Sequence, residues 1–283
     1  MRILILGGDE RQRKLKGIFA SEDYDVQCIT EPDQVDLLDS ALLKAQAVLL
    51  PLPVSRDGKL VYSDRSELQI PLSRVIDGLD ESKMLFAGII RDDLKVRLIE
   101  RNIPYFDYYT DEAFKSRNAF LTAQCALRLM LSETDEYIVG KRALVTGFGR
   151  VGKATAGILG RVGLEVYVAA RSEEQKATAY ALGYKVLDIY DMESVIRIFD
   201  FVFNTVPFHV FSEREVGLMK DTALYIELAS KPYGTRPEHF EKHNKRYLPA
   251  PSLPGRYCST SAAEAIYRSI KNRLFETGGE ENV

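Results

Sequence analysis

The sequence predicts an α/β protein made of two doubly wound domains, each built on a parallel sheet. Apolar runs of strand length alternate with helical stretches over residues 1–108, and a second alternating series follows residue 137. A long helical stretch over residues 111–131 separates the two series. Because strands that alternate with helices pair in parallel and carry helices on both faces, we expect two such sheets joined by long helices.

The chain has 283 residues, which is enough for two domains of ordinary size. We predict a flavodoxin-like domain over residues 1–110 and a linker helix over 111–136. A second α/β domain follows over 137–256, and a C-terminal helix over 257–276 returns to the first domain. Residues from Thr277 on are expected to form a short disordered tail.

Five strands and three helices are predicted in the first domain. The strands cover residues 2–6, 25–29, 47–50, 83–87 and 104–106, and the helices cover 11–20, 33–44 and 92–101. Gly7-Gly8 turns the chain after the first strand, and Asp9 with Gln12 three positions on is typical of a helix capping box. This loop either caps the helix alone or also binds an anion at the helix start.

A polar loop over residues 51–58 follows the third strand and contains Ser55 and Arg56. Open α/β sheets bind ligands beyond the carboxyl ends of their strands, which is where this loop is expected. The two side chains either hold a substrate carboxylate or belong to a plain surface loop. The first alternative would make the N-terminal domain the substrate domain.

The middle of the chain carries a glycine motif in a complete βαβ pattern. A strand over residues 143–146 runs into Gly147-Phe148-Gly149-Arg150-Val151-Gly152, and a helix and a second strand over 165–170 follow. In a G-x-G-x-x-G turn the first glycine permits the tight turn, the second admits a pyrophosphate and the third lets the helix pack on the strand. The second domain is therefore predicted to be a Rossmann domain that binds a dinucleotide.

Arg171-Ser172 follows the second strand of this βαβ unit. NAD-specific domains usually place a carboxylate there to bond the ribose 2′-OH. An arginine can instead form a fork on a 2′-phosphate, and a serine hydroxyl can add a bond. The pattern favours NADP, with a solvated surface role for Arg171 as the alternative.

Two later strands end in polar turns. One runs through residues 201–203 into Asn204-Thr205-Val206-Pro207, where a dinucleotide fold would place the ribose and nicotinamide, and His209 follows closely. His209 is either a proton-transfer group or a structural histidine. The strand over 224–230 runs into Lys231, which either serves a substrate carboxylate or a proton relay or is a solvated lysine.

Composition excludes several classes of protein. The formal net charge of -3 gives no electrostatic reason to expect binding to nucleic acid or to an anionic membrane. The three cysteines are far apart, so neither a metal site nor a disulfide framework is predicted. No apolar run approaches the length of a membrane span, and we expect a cytoplasmic protein.

Several motifs, taken in order, make the chain resemble the family of the dipicolinate synthase A subunit. Besides the glycine motif, they are Gly7-Gly8-Asp9-Glu10-Arg11-Gln12, Leu50-Pro51-Leu52-Pro53-Val54-Ser55, residues 118–124 in part, Ala170-Arg171-Ser172, Asn204-Thr205-Val206-Pro207, Leu228-Ala229-Ser230-Lys231-Pro232 and Ala250-Pro251-Ser252-Leu253-Pro254-Gly255. The chain departs from that family's usual residues at Gln124-Cys125, at Glu227 and at Ser259-Thr260, and these positions would carry any difference in activity.

The resemblance implies the two-domain layout of formate/glycerate-type dehydrogenases and an NADP-linked oxidation of dihydrodipicolinate to dipicolinate in sporulation. It also implies a partner, a flavoprotein-like B subunit, beside a possible homo-oligomer. The substrate would be a flat dicarboxylate held in the inter-domain cleft, with Ser55, Arg56, Lys231, Ser259 and Thr260 as the residues that hold it. The rival hypotheses are another NAD(P)-dependent dehydrogenase, of the shikimate or hydroxyacid type, and a non-catalytic NADP-binding subunit or sensor.

Overall fold

The computed structural model describes residues 1–278. The chain forms two compact units, of which unit 1 contains residues 1–118 together with the segment that begins at Gly255, and unit 2 contains Ala119–Pro254. The tail predicted from Thr277 on lies largely outside the described residues, and Thr277 and Gly278 themselves still belong to the last helix. The domain boundaries predicted from the sequence stay predictions.

Unit 1 is built on a five-stranded parallel sheet. In chain order its strands are β1 (Arg2–Leu6), β2 (Asp25–Ile29), β3 (Ala47–Leu49), β4 (Met84–Ala87) and β5 (Tyr105–Asp107). They lie in the spatial order β2-β1-β3-β4-β5, which is the flavodoxin-like arrangement with its switch point between β1 and β3.

Helices cover both faces of this sheet. They are α1 (Glu10–Ala20), α2 (Leu38–Lys44), α3 (Leu72–Asp77), α4 (Asp92–Glu100), the first part of α5 (Glu112–Ser132) and α11 (Ser259–Gly278). Alternate residues of β1 enter different cores: Leu4 and Leu6 on one face, Ile3 and Ile5 on the other. The C-terminal helix α11 packs on α1, and the rings of Phe19 and Tyr267 meet edge to face at 5.4 Å.

Unit 2 is built on a six-stranded parallel sheet. Its strands are β6 (Arg142–Thr146), β7 (Glu165–Ala170), β8 (Lys185–Asp188), β9 (Phe201–Asn204), β10 (Leu224–Glu227) and β11 (Arg246–Pro249). Its helices, after the end of α5, are α6 (Arg150–Arg161), α7 (Glu173–Ala181), α8 (Glu213–Leu218), α9 (Pro237–Lys242) and the start of α10 (Leu253–Tyr257). The spatial order β11-β10-β9-β6-β7-β8 is that of a Rossmann domain, with the switch point between β6 and β9.

The predicted fold class is confirmed, since both sheets are parallel and doubly wound. Several short elements were not predicted, among them α3 and β11. Helix α3 is only six residues long, and β11 is a half-buried edge strand without an apolar run. The helix predicted over 33–44 is in fact a 3-10 segment, Pro32–Leu37, followed by α2; no residue of the 3-10 segment is fully buried, so little packing holds it in α geometry.

Candidate functional site

The glycine turn after β6 has the geometry that a dinucleotide site needs. Gly147 has a φ of 83°, which L side chains rarely adopt. A Cβ at Gly152 would lie 2.1 Å from the carbonyl oxygen of Gly147, so only glycine lets the helix approach the turn. Among residues 1–278, no atom outside the immediate neighbours lies within 4 Å of a Cβ built at Gly149, so the space above this glycine is open.

Helix α6 begins at this turn and presents its amino end to the open space. Gly149 is the N-cap, and no described side chain caps the helix, so its first N–H groups are left for a ligand. The N–H groups and the positive end of the helix dipole both favour a phosphate. The residues present therefore fit the pyrophosphate of a nicotinamide dinucleotide.

The other residues of the motif shape the turn. Phe148 is buried and packs edge to face on Tyr184 with a centroid distance of 5.8 Å. Val151 is half-buried and Arg150 is exposed at the first position of α6. The buried ring of Phe148 thus anchors the turn to the interior of unit 2.

Arg171 and Ser172 follow β7 at the same end of the sheet. The Arg171 guanidinium is exposed and lies 5.6 Å from the ring centroid of Phe208, in the loop after β9. The Ser172 hydroxyl accepts a hydrogen bond from Gln175 N at 3.3 Å and caps α7. Arg171 is therefore available to an anion, whereas the acceptor side of Ser172 is used by its own helix.

The turn after β9 is held by hydrogen bonds within the protein. Asn204 is fully buried: its Nδ2 donates to Val206 O and to Glu227 Oε1, and its Oδ1 accepts from Thr146 Oγ1 and Val206 N. The Thr205 hydroxyl donates to Thr146 O at 2.7 Å. These side chains fix the backbone of the turn from inside the protein, and Pro207 is the exposed end of the turn.

Glu227 is a buried carboxylate that the sequence reasoning treated only as a departure from the family pattern. It is the last residue of β10, it is 1% exposed, and four donors surround it. Burial raises the pKa of Glu227, while the hydrogen bonds from Asn204, Gly234 and Ala229 act in the opposite direction. The available signal was a single acid inside the apolar run Leu224-Tyr225-Ile226-Glu227-Leu228.

Lys231 and His209 line one cleft of about 610 Å³ within unit 2. The other lining residues include Arg236, Lys242, Glu213 and His239. Lys242 pairs with Glu213 at 2.7 Å, and Thr235 Oγ1 contacts His239 Nδ1 at 3.1 Å.

Within residues 1–278, neither Lys231 nor Arg236 forms an ion pair, and both are exposed. Two unpaired cationic side chains thus lie in the cleft beside an exposed imidazole. This arrangement can take an anion and a proton.

The predicted substrate residues of unit 1 lie on two segments. Ser55 and Arg56 follow β3, but the Ser55 hydroxyl donates to Asp57 Oδ1 and accepts from Gly58 N, and the Arg56 guanidinium stacks 4.4 Å from the centroid of Tyr62. Ser259 and Thr260 are the first residues of α11, half-buried and exposed respectively.

A buried ion pair, Asp9 with Arg11, contacts residues next to these two segments. Arg11 donates two hydrogen bonds to the Asp9 carboxylate and a third to Leu52 O at 2.7 Å. A Cβ at Gly255 would lie 2.6 Å from Asp9 Oδ2. The predicted capping box is confirmed, because Gln12 Oε1 accepts from Asp9 N while Asp9 accepts from the helix start.

Two features of other site classes are absent from the part of the chain that the structure describes. No three His, Cys, Asp or Glu side chains there are grouped so that they could hold a metal ion. No helix of residues 1–278 combines the length and the hydrophobicity that crossing a membrane requires.

Comparisons with known proteins agree with both units. Residues 2–109 match the family model of the N-terminal domain of the dipicolinate synthase A subunit. Residues 117–231 match the NAD binding domain of D-isomer specific 2-hydroxyacid dehydrogenases. The chain is 24% identical to the dipicolinate synthase A subunit of Bacillus subtilis (strain 168), over 99% of this chain and 98% of that protein.

Solved structures show the same fold. The dipicolinate synthase A subunit of Bacillus halodurans superposes with a TM-score of 0.82 at 24% identity, over 96% of this chain and 97% of that one. A phosphoglycerate oxidoreductase from Vibrio cholerae superposes with a TM-score of 0.65 at 14% identity, over 99% of this chain and 100% of that one. The resemblance to the family of the dipicolinate synthase A subunit is therefore confirmed over nearly the whole chain, and the protein is an NAD(P)-dependent oxidoreductase with a dehydrogenase fold.

Proposed function

We propose that this protein oxidises dihydrodipicolinate to dipicolinate with NADP, as the dehydrogenase subunit of a dipicolinate synthase. The observation that carries the proposal is the whole-length similarity to a dipicolinate synthase A subunit, which includes an N-terminal domain model specific to that protein. The preference for NADP rests on Arg171, because β7 ends without the carboxylate that would bond a ribose 2′-OH.

The reaction removes a hydride from one ring carbon of the substrate and a proton from the ring, and it leaves an aromatic pyridine. When bound, the oxidised nicotinamide supplies the hydride acceptor. The turn at Gly147–Gly152 and the start of α6 would hold the pyrophosphate, and Arg171 would hold the 2′-phosphate. The turn over residues 204–207 forms the surface on the β9–β10 side of the switch point. This is the half of a Rossmann domain opposite the adenosine, where the nicotinamide would bind.

The cleft of unit 2 supplies the remaining groups. Lys231 provides a positive charge for a substrate carboxylate, and His209 accepts the proton that is lost as the ring becomes aromatic. Aromatisation itself favours the forward direction, so the base needs only modest strength. Arg56, Ser55, Ser259 and Thr260 stay predicted contacts of the second carboxylate.

A direct assay tests the function. The purified chain, freshly generated dihydrodipicolinate and NADP⁺ are expected to give NADPH and dipicolinate in equal amounts, with NAD⁺ a poorer acceptor. The assay is run with and without a candidate B subunit, which we propose as the partner. Formation of NADPH from a 2-hydroxyacid but not from dihydrodipicolinate would favour the hydroxyacid alternative that the match of residues 117–231 allows. Tight NADPH binding with no turnover of either substrate would favour a sensor.

Lys231→Ala is expected to lower kcat/KM for dihydrodipicolinate about tenfold, mainly through KM, because an exposed ammonium–carboxylate contact is lost. The affinity for NADPH should stay unchanged. Lys242→Ala is the matched control: it lies in the same cleft but is paired with Glu213, so its kinetic constants should stay within about twofold. Unchanged kinetics of Lys231→Ala would remove this lysine from the site.

A further inference from the structure

Glu227 accepts four hydrogen bonds, from donors on β9, on its own strand β10 and in the turn that follows β10. Its Oε1 accepts from Asn204 Nδ2 at 2.6 Å and from Ala229 N at 3.0 Å. Its Oε2 accepts from Gly234 N at 2.8 Å and from the Tyr225 hydroxyl at 3.2 Å. A carboxylate with two acceptors on each oxygen matches this set, whereas an amide NH2 in place of either oxygen would face at least one of the N–H donors of Asn204, Ala229 and Gly234.

The donors belong to two turns with different predicted tasks. Asn204 begins the turn that follows β9, on the nicotinamide side of the switch point. Ala229 and Gly234 flank the turn that carries Lys231. The Glu227 side chain thus links the two turns, beside the backbone hydrogen bond from Leu228 N to Asn204 O.

A third loop is tied to the same place. The carbonyl oxygen of Gly234 accepts from Val210 N at 2.7 Å and from Phe211 N at 3.0 Å, which fixes the loop that carries His209. A Cβ at Gly234 would lie 2.5 Å from both Asn204 Cγ and the Tyr225 hydroxyl, so the backbone of Gly234 is tightly packed against these two side chains. A shift of Gly234 would therefore move His209 as well as Lys231.

We propose that Glu227 is a positioning residue that sets the distance between the nicotinamide turn and the Lys231–His209 cleft. It touches neither substrate nor cofactor and acts through Asn204, Ala229 and Gly234. The kinetic consequence rests on the proposed function, whereas the consequence for cofactor binding requires only that the chain bind NADPH.

The substitution Glu227→Gln isolates the acceptor role, because glutamine has nearly the same shape but replaces one oxygen with an amide donor. Asn204 cannot turn over to compensate, since its Oδ1 is used by Thr146 and Val206. One turn must therefore lose its bond. Glu227→Asp keeps both carboxylate oxygens on a shorter side chain, so it should retain more function than Glu227→Gln.

Two ligands separate positioning from general damage. NADPH uses both halves of the Rossmann domain, whereas adenosine 2′,5′-bisphosphate contains only the adenosine half of NADPH. Glu227→Gln is expected to weaken NADPH about tenfold or more and to leave adenosine 2′,5′-bisphosphate within about twofold, because the lost buried acceptor holds turns of the β9–β10 half of the domain and not of the adenosine half. In the same variant kcat/KM for dihydrodipicolinate should fall about tenfold to a hundredfold, and Glu227→Asp should lie between it and the unsubstituted protein.

The matched control is Asp200→Asn. Asp200 is a half-buried carboxylate that immediately precedes β9, at the end of the strands opposite to Glu227, where it accepts from Arg142 N at 2.9 Å and Lys220 Nζ at 2.7 Å. This variant is expected to lose some thermal stability and to bind both ligands normally.

Two results with Glu227→Gln would overturn the proposal: equally weakened binding of both ligands, or unchanged binding of both. Weaker NADPH binding by Glu227→Asp than by Glu227→Gln would also overturn it, because side-chain volume alone would then matter. Should Glu227→Gln fail to fold, Glu227→Asp decides, since its selective loss of NADPH supports the proposal and an equal loss contradicts it. Because the binding experiment contains no dihydrodipicolinate, failure of the proposed oxidation would leave its result intact.

Discussion

Gly149→Ser is expected to weaken NADPH binding on the order of a hundredfold while the protein keeps its stability. The backbone at Gly149 is extended, with φ of −76° and ψ of −164°, so a side chain is allowed there. Serine is a favoured N-cap residue, and a Cβ meets no described atom beyond its neighbours. The new side chain would instead occupy the space predicted for the pyrophosphate and would take a helix N–H; each hydrogen bond to a charged group contributes about 1.5–3 kcal/mol.

Fluorescence titration with NADPH and a thermal unfolding curve measure the two quantities separately. Gly152→Ala provides the contrast, because its Cβ would clash with the backbone of Gly147 at 2.1 Å. That variant should lose both binding and about 1–3 kcal/mol of stability, the usual cost of overpacking. A folded Gly149→Ser protein that binds NADPH within a few-fold of the original would show that the open space is not the phosphate site.

Arg171→Ala is expected to weaken NADP⁺ about tenfold to a hundredfold and to leave NAD⁺ nearly unchanged. A guanidinium fork on a phosphate is a charge-assisted contact of about 1.5–3 kcal/mol, and NAD⁺ lacks the 2′-phosphate that would receive it. The ratio of the two dissociation constants, measured by calorimetry, reports the effect directly. Loss of the Phe208 contact should not contribute much, since cation–π contacts at exposed sites amount to about 0.5–1 kcal/mol.

Arg171→Lys is the matched control because it keeps the charge and loses the planar fork, so its NADP⁺ affinity should be intermediate. Arg171 follows β7, yet its guanidinium lies near Phe208 of the loop after β9, and the glycine-turn strand β6 lies between those two strands. A contact with the pyrophosphate is therefore the competing possibility. An equal loss of NADP⁺ and NAD⁺ affinity would favour that contact and contradict a role in cofactor selection.

The cofactor half of the site could be predicted because its chemistry depends on backbone shape. Such a turn needs glycines at a fixed spacing, and the spacing of Gly147, Gly149 and Gly152 in the sequence is enough to predict the role of each. The capping box of Asp9 and Gln12 was predictable for the same reason, since both partners lie within one helical turn.

The substrate half depends on contacts between residues distant in the chain, and these left little trace in the sequence. Ser55 reads as a free hydroxyl, yet Asp57 and Gly58 use it within its own loop. Lys231 and His209 line one cleft, and the carbonyl of Gly234, in the turn after Lys231, accepts hydrogen bonds from the loop that carries His209. The burial of Glu227 follows from the pairing of β9 with β10.

The buried pair of Asp9 and Arg11 has a consequence for how this chain can diverge. Arg11 reaches the carbonyl of Leu52, and Asp9 leaves no room for a side chain at Gly255, so three segments far apart in the chain meet at one charge pair. Loss of either charge alone would strand its partner at a cost of about 3–5 kcal/mol. Descendants of this sequence can therefore change positions 9 and 11 only together, and a larger residue at 255 becomes tolerable only after that joint change.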